Sequence, residues 1–244
     1  MSAQNLSPEE KLSQVAELLM PYRVDVVYPE TDGEPMAETD THRDLMAEAL
    51  IYPLKEYFRD QPDVYVSGNL LLYYEEGNPR ASVAPDVFVV FGIPKGKRRI
   101  YKLWEEEKAP DVVIELTSAS TRQKDLGDKR LLYEELGVRE YFIFDPLHEY
   151  LEPPLRGFRL EEGFYRPLKA ALTTADEWEI KSDLLQLILR AKGSQLRLYD
   201  PQQERLLPTL AEASAALRQE AAARHLAETR LAELEAELAR LREK

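Results

Sequence analysis

Three charged residues stand where they could do chemistry together: Asp86, Glu115 and Lys129. Asp86 opens the apolar run Val87-Phe88-Val89-Val90-Phe91, and Glu115 closes the run Val112-Val113-Ile114. Each carboxylate therefore ends a segment that reads as a buried strand. A charge at the mouth of an apolar strand is costly unless it is paired, solvated or bound to a metal. Lys129 follows on a segment of helical periodicity, where Asp125, Lys129 and Tyr133 recur every four residues and so share one face. Two hard oxygen ligands beside a cation suit a partly hydrated magnesium ion that reaches a phosphate. The metal would polarise that phosphate and lower the pKa of a bound water. The lysine would orient the water or neutralise charge in the transition state. Acids at strand ends are common in α/β folds, so spacing alone still favours two carboxylates with no catalytic task.

The elements that must position these residues follow from the pattern around them. Strand alternation puts Asp111, Val113, Glu115 and Thr117 on one face. Asp111 follows Pro110 and suits a turn as well as a ligand. The spacing predicts a helix from Lys124 to Leu136, with Ser118, Ser120 and Thr121 as cap candidates and Gly137 as its stop. Glu140 to Phe144 reads as a third buried strand ended by Asp145-Pro146, and a strand, helix, strand connection of this length favours parallel pairing. Upstream, Ser7-Pro8 starts a helix to about Met20, Val24 to Tyr28 reads as a short strand, and a long helix spans about 41 to 59 with Pro53 as its weak point. The run Val64 to Tyr74 is strand-like with a Gly68-Asn69 interruption. Between Glu149 and Tyr199, alternating segments predict antiparallel hairpins, with Ser182 to Leu187 a turn and Gln195 to Tyr199 an edge strand.

After Pro208, the residues Leu210, Ala213, Leu217, Ala227, Leu231, Leu234, Leu238 and Leu241 follow a 3-4 repeat interrupted by Glu220 and Arg224. This predicts a protruding coiled-coil-like helix that pairs with its own kind or packs on the body. The organisation expected is one domain over 1–200, with a core at about 39–146 and added hairpins at 147–200, followed by a helical tail over 201–244.

Composition limits the function classes. The 244 residues are 44% hydrophobic, enough for a sizeable core, and no apolar run approaches a membrane span. Without cysteine, disulfides and thiolate metal sites are excluded, and with no basic and apolar leader at Met1-Ser2-Ala3-Gln4 a cytoplasmic protein is expected. A net charge of -13 argues against a generally basic nucleic-acid surface. One segment is different: Lys95, Lys97, Arg98, Arg99 and Lys102 are interleaved with Tyr101, which reads equally as a solvated loop or as a phosphate-contacting one.

The segments Pro85 to Val90, Pro110 to Thr121, Asp125 to Tyr133 and Leu136 to Pro146 closely resemble the Uma family of restriction endonucleases, of the PD-(D/E)XK nuclease superfamily. The resemblance is specific in order, spacing and residue type from about Thr39 to Asp145. It implies an α/β (α+β) fold, a restriction-endonuclease-like mixed β-sheet flanked by helices, with Asp86 and Glu115 as the acids that bind Mg2+ or Mn2+. Where the superfamily has a lysine two residues after the glutamate, this chain has Thr117. Lys129 matches the displaced lysine of the family, with Lys124 as a weaker substitute. Asp125 and Tyr133 are expected to support it. His42, with Glu38 and Glu48 nearby, stands just before the long helix, as a histidine often does in the family. The acidic motif usual near the family's N-terminus is replaced by Thr31-Asp32-Gly33-Glu34. The function implied is a metal-dependent endonuclease acting on DNA. A homodimer is expected, because cutting both strands needs two sites and the tail can serve as a pairing helix. A catalytically inactive binding or scaffold protein assembled through the tail is the alternative, and a hydrolase of smaller phosphate esters a third.

Overall fold

The computed structural model describes residues 26–31, 40–118 and 124–242. The expected helix over 7–20, the cap candidates Ser120 and Thr121, and Glu38 lie outside these residues. The strands in chain order are β1 Val64–Ser67, β2 Leu72–Tyr73, β3 Ser82–Val83, β4 Val87–Phe91, β5 Tyr101–Lys102, β6 Val112–Leu116 and β7 Glu140–Phe144. They continue with β8 Leu155–Glu161, β9 Phe164–Leu168, β10 Ala171–Leu172, β11 Trp178–Ser182, β12 Leu187–Lys192, β13 Gln195–Asp200 and β14 Arg205–Leu206. The main sheet runs β1-β4-β6-β7-β8-β9. Within it β6 and β7 are parallel, Val112 opposite Glu140, as the helical connection between them requires. The other pairings in this sheet are antiparallel.

The long first helix forms as expected, in three consecutive segments: Asp40–Asp44, a wide π-type turn Leu45–Ile51, and Tyr52–Tyr57. Pro53 has no N–H to give to the preceding turn, and just before it the Tyr52 N–H reaches back five residues to the Ala47 carbonyl. The proline thus widens the helix instead of breaking it. Leu45, Leu50 and Leu54 of this helix pack against Val87, Val89, Val112 and Ile114 of the main sheet on one side. On the other side they meet Leu187, Leu189, Leu196 and Leu198 of a second sheet, ordered β10-β11-β12-β13-β14. The helix is therefore the filling between two sheets. The opposite face of the main sheet carries Phe88, Val90, Val113, Tyr141 and Ile143, covered by Tyr133 and Val138.

Two expectations need correction. Residues 26–28 carry no strand, and Tyr28 instead packs its ring on Tyr73 and Trp104. The segment Gln195 to Tyr199 is not an edge strand, because β14 pairs beyond it, with Tyr199 opposite Leu206. Two residues of strand after a turn are too short to leave a readable alternation. The tail helix, Leu210–Arg242, forms as expected and leaves its leucines exposed. No helix among the described residues is long and apolar enough to cross a membrane.

Gly68 ends β1 where the backbone comes close to the start of β4: a Cβ there would lie 2.0 Å from the Asp86 carbonyl oxygen and 2.7 Å from Ile51 Cδ1. A Gly68→Ala substitution should lower the unfolding free energy by about 3 kcal/mol in urea denaturation, since neither the backbone nor the packed isoleucine can yield without moving Asp86.

Candidate active site

Asp86 and Glu115 face each other at the open end of the β4–β6 ladder. The last paired position is Val87 opposite Ile114, so one step further brings Asp86 opposite Glu115. Two reciprocal bonds hold them there. The Leu116 N–H donates to Asp86 Oδ2 at 2.7 Å, and the Asp86 N–H donates to Glu115 Oε2 at 3.4 Å. The Pro85 carbonyl is taken by the Asn69 N–H, so the Asp86 side chain supplies the acceptor for the Leu116 N–H where backbone pairing of β4 and β6 stops. Val113 and Glu115 alternate with Ile114 and point to the face that also carries Tyr133 and Tyr141.

The helix after β6 begins as a π-type turn, Lys124–Asp128, and continues as Lys129–Glu135, stopped by Gly137 at φ +80°. Its Asp125, Lys129 and Tyr133 all face the two carboxylates. Lys129 Nζ lies 3.0 Å from Glu115 Oε2 and 3.0 Å from Asp125 Oδ1. The Tyr133 hydroxyl donates to Glu115 Oε1 at 2.6 Å. Asp125 is held in turn by the Thr117 hydroxyl, which donates to its Oδ2 at 2.7 Å, and the Thr117 hydroxyl also meets that of Tyr150. The threonine at the superfamily's lysine position thus fixes the carboxylate that fixes Lys129. His42, buried at the start of the first helix, brings Nε2 to 3.4 Å from the Thr117 carbonyl, which places it behind the site.

Burial governs the electrostatics. It pushes the Glu115 carboxyl up to about 8 despite the pull of Lys129, with Asp86 and Asp125 adding to the rise. Burial also raises Asp86, against Lys129 and the Leu116 N–H. It would lower the Lys129 ammonium, but Glu115, Asp125 and Asp86 outweigh it and raise that group. One ammonium among three carboxylates, Glu115 and Asp125 buried and Asp86 half-buried, leaves uncompensated negative charge, which favours the protonated form of the acidic pair unless another cation arrives.

The other candidates fall elsewhere. Asp111 closes the opposite end of the same ladder: the Phe91 N–H donates to its Oδ2 at 2.7 Å and Arg139 Nε to its Oδ1 at 2.9 Å. Its role is structural. Glu48 lines a cavity at the base of the tail with Thr209 and Glu212. In the basic segment, Lys95 Nζ donates to the Phe58 and Arg59 carbonyls, and Arg98 binds Glu106 through two nitrogens while lying 4.2 Å over the Tyr65 ring. Arg99 reaches Glu30 and Lys102 reaches Glu105. Lys97 is exposed, and with Lys55, Lys95, Arg98 and Ser67 it lines a cavity of about 480 Å³ along β1, the outer strand beside β4. Tyr150 was not singled out by the sequence. Its signal lies in Asp145-Pro146, since Asp145 Oδ2 accepts the Tyr150 and Leu151 N–H groups and folds this segment back over the site.

A mixed sheet that brings two strand-end carboxylates and a helix-borne lysine together on one face defines a PD-(D/E)XK-like nuclease fold. The family model Uma2, described as "Putative restriction endonuclease", matches residues 17–192, and the chain belongs to that family. A similar solved structure is titled a "putative nuclease belonging to DUF820" from Anabaena variabilis ATCC 29413. It has 13% identity and a TM-score of 0.43, covering 74% of this chain and 91% of that one. No curated protein matches the chain.

Because the folded pKa of Glu115 lies above its ordinary 4.5, the fold favours the protonated form. The contribution of this group to stability is full below about pH 4.5 and is lost as pH rises through about 8. Without divalent cations, Glu115→Gln should therefore gain stability relative to the unsubstituted protein as pH goes from 5 to 9, read as a growing difference in Tm.

Proposed function

We propose that the protein is a divalent-metal-dependent endonuclease that hydrolyses DNA phosphodiester bonds, with Asp86 and Glu115 as metal ligands and Lys129 as the catalytic cation. The observation that carries this reading is the convergence of Lys129 Nζ on Glu115, 3.0 Å away, beside the opposed carboxylate of Asp86. Among the described residues no group of three or more His, Asp or Glu side chains is arranged to hold a metal. Two carboxylates nonetheless fit Mg2+, which keeps several waters and uses one or two protein carboxylates. The excess buried negative charge fits a cation as well. When bound, the metal supplies Lewis-acid polarisation of a phosphoryl oxygen. The chain's own residues do the rest. Tyr133 and the Asp86 N–H fix the rotamer of Glu115, and Asp125, itself held by Thr117, holds the ammonium of Lys129 where it offsets charge developing on a phosphate.

Lys55 and Lys97, with Lys95 and Arg98, offer a positive cavity along β1, one strand away from Asp86, and we assign the DNA backbone contacts to it. Arg99 and Lys102 of the same segment pair with Glu30 and Glu105 instead. Two-strand cleavage needs two such sites, which favours a homodimer. The scaffold alternative draws on the acidic net charge and on Thr117 at the usual lysine position.

Plasmid DNA incubated with the protein and Mg2+ or Mn2+ should be nicked or linearised, and Glu115→Gln and Lys129→Ala should each lose about 10²-fold or more of the rate. Cleavage equal to that of Glu115→Gln would leave the scaffold reading. Independently, Mn2+ should raise the Tm of the unsubstituted protein and not that of Asp86→Ala.

A further inference from the structure

The tail helix leaves Leu217 66%, Leu231 59% and Leu241 63% exposed, a seam too apolar to be explained by solvation alone. The seam has a second property. Its two charged interruptions, Glu220 and Arg224, are opposite in sign and one step of the repeat apart, and its small and large residues are distributed about them unevenly.

We propose that this helix pairs with the same helix of a second copy in antiparallel orientation, about a two-fold axis midway between Glu220 and Arg224. In an antiparallel pair each a-type position meets a d-type position of the partner. With the axis at that point, Glu220 meets the partner's Arg224 and Arg224 meets the partner's Glu220. Leu217 then meets the partner's Ala227, Ala213 meets the partner's Leu231, and Leu210 meets the partner's Leu234. Every layer is thus complementary: opposite charges at the centre, a small residue against a large one on either side, and leucine against leucine at the ends. The flanking positions Ser214, Ala216, Ala221 and Ala223 are small and let the helices approach closely. Within one helix, among the described residues, Arg224 pairs with Glu228, and its side chain is 80% exposed.

A parallel pair fits the same sequence poorly. It would stack Glu220 on Glu220 and Arg224 on Arg224 in adjacent layers, and Ala213 and Ala227 each on themselves, leaving like charges buried and voids beside them. In the antiparallel pair the interface is isologous and closes at two copies. The 25 residues from Leu210 to Leu234 span about 37 Å, so the two bodies sit at opposite ends of the pair. Leu238 and Leu241 overrun the partner's helix start and come beside its base, where a cavity of about 490 Å³ is lined by Leu45, Leu196 and Ala211. The proposal stands on the tail's own residues and is independent of the cleavage reading.

The chain has no cysteine, so engineered thiols report without background. Under mild oxidation Leu217→Cys and Ala227→Cys should each stay monomeric on a non-reducing gel. Mixing the two, or combining them in one chain, should give a covalent dimer. The two positions lie about 15 Å apart within one helix, too far for an internal bridge. Crosslinking of the single variants with themselves would establish a parallel pair and overturn the proposal, and so would absence of any crosslink. In sedimentation, Glu220→Arg should weaken the dimer about tenfold or more, and adding Arg224→Glu should restore it. A monomer at all concentrations, or failure of the double exchange to restore pairing, overturns it equally.

Discussion

The structure turns on buried charge that is only partly balanced. Glu115 is fully enclosed, Asp125 nearly so, and Asp86 lies beside them, with the single ammonium of Lys129 between. Much of the local architecture exists to make this tolerable. Tyr133 donates a hydrogen bond to Glu115, Thr117 donates one to Asp125, and the Leu116 N–H turns to Asp86. Each donor requires its element to sit in one phase, so the end of the sheet, the start of the site helix and the turn after β7 are fixed by the same electrostatic need.

Much of this was legible in the sequence, because the rules that apply are short-range. Apolar runs of β-branched and aromatic residues located β4, β6 and β7, and period-two alternation put Glu115 on one face with Val113 and Thr117. Four-residue spacing put Asp125, Lys129 and Tyr133 on one face, and that survives the wide turn at Lys124–Asp128. Contacts between segments distant in sequence were not legible. Nothing local marks Lys95 as a cap for the carbonyls of Phe58 and Arg59, or Arg98 as a partner of Glu106 lying on Tyr65. The burial of the first helix between two sheets was likewise hidden, because leucine-rich hairpins read alike whether they face solvent or a helix.

Thr117 shows why a departure from a motif is better read through its neighbours than as a missing letter. A lysine there would project from the strand face straight into the acids. The threonine instead secures Asp125, and Asp125 steadies a lysine arriving from the helix. Positive charge reaches the same place by a longer route, which makes the position of that charge depend on the helix.

The dipeptide Pro-Asp occurs three times, at Pro62-Asp63 before β1 and at Pro85-Asp86 and Pro110-Asp111, the last two opening β4 and β6. Since β4 and β6 are antiparallel, the two aspartates close opposite ends of one ladder by the same means, accepting the N–H of Leu116 and of Phe91. One end is sealed from within, because Arg139 and Lys108 neutralise Asp111. The other faces Glu115 and is left wanting positive charge. Fraying of the sheet is therefore lopsided: amide exchange at Leu116 should answer to the ions in solution, while exchange at Phe91 should be indifferent to them.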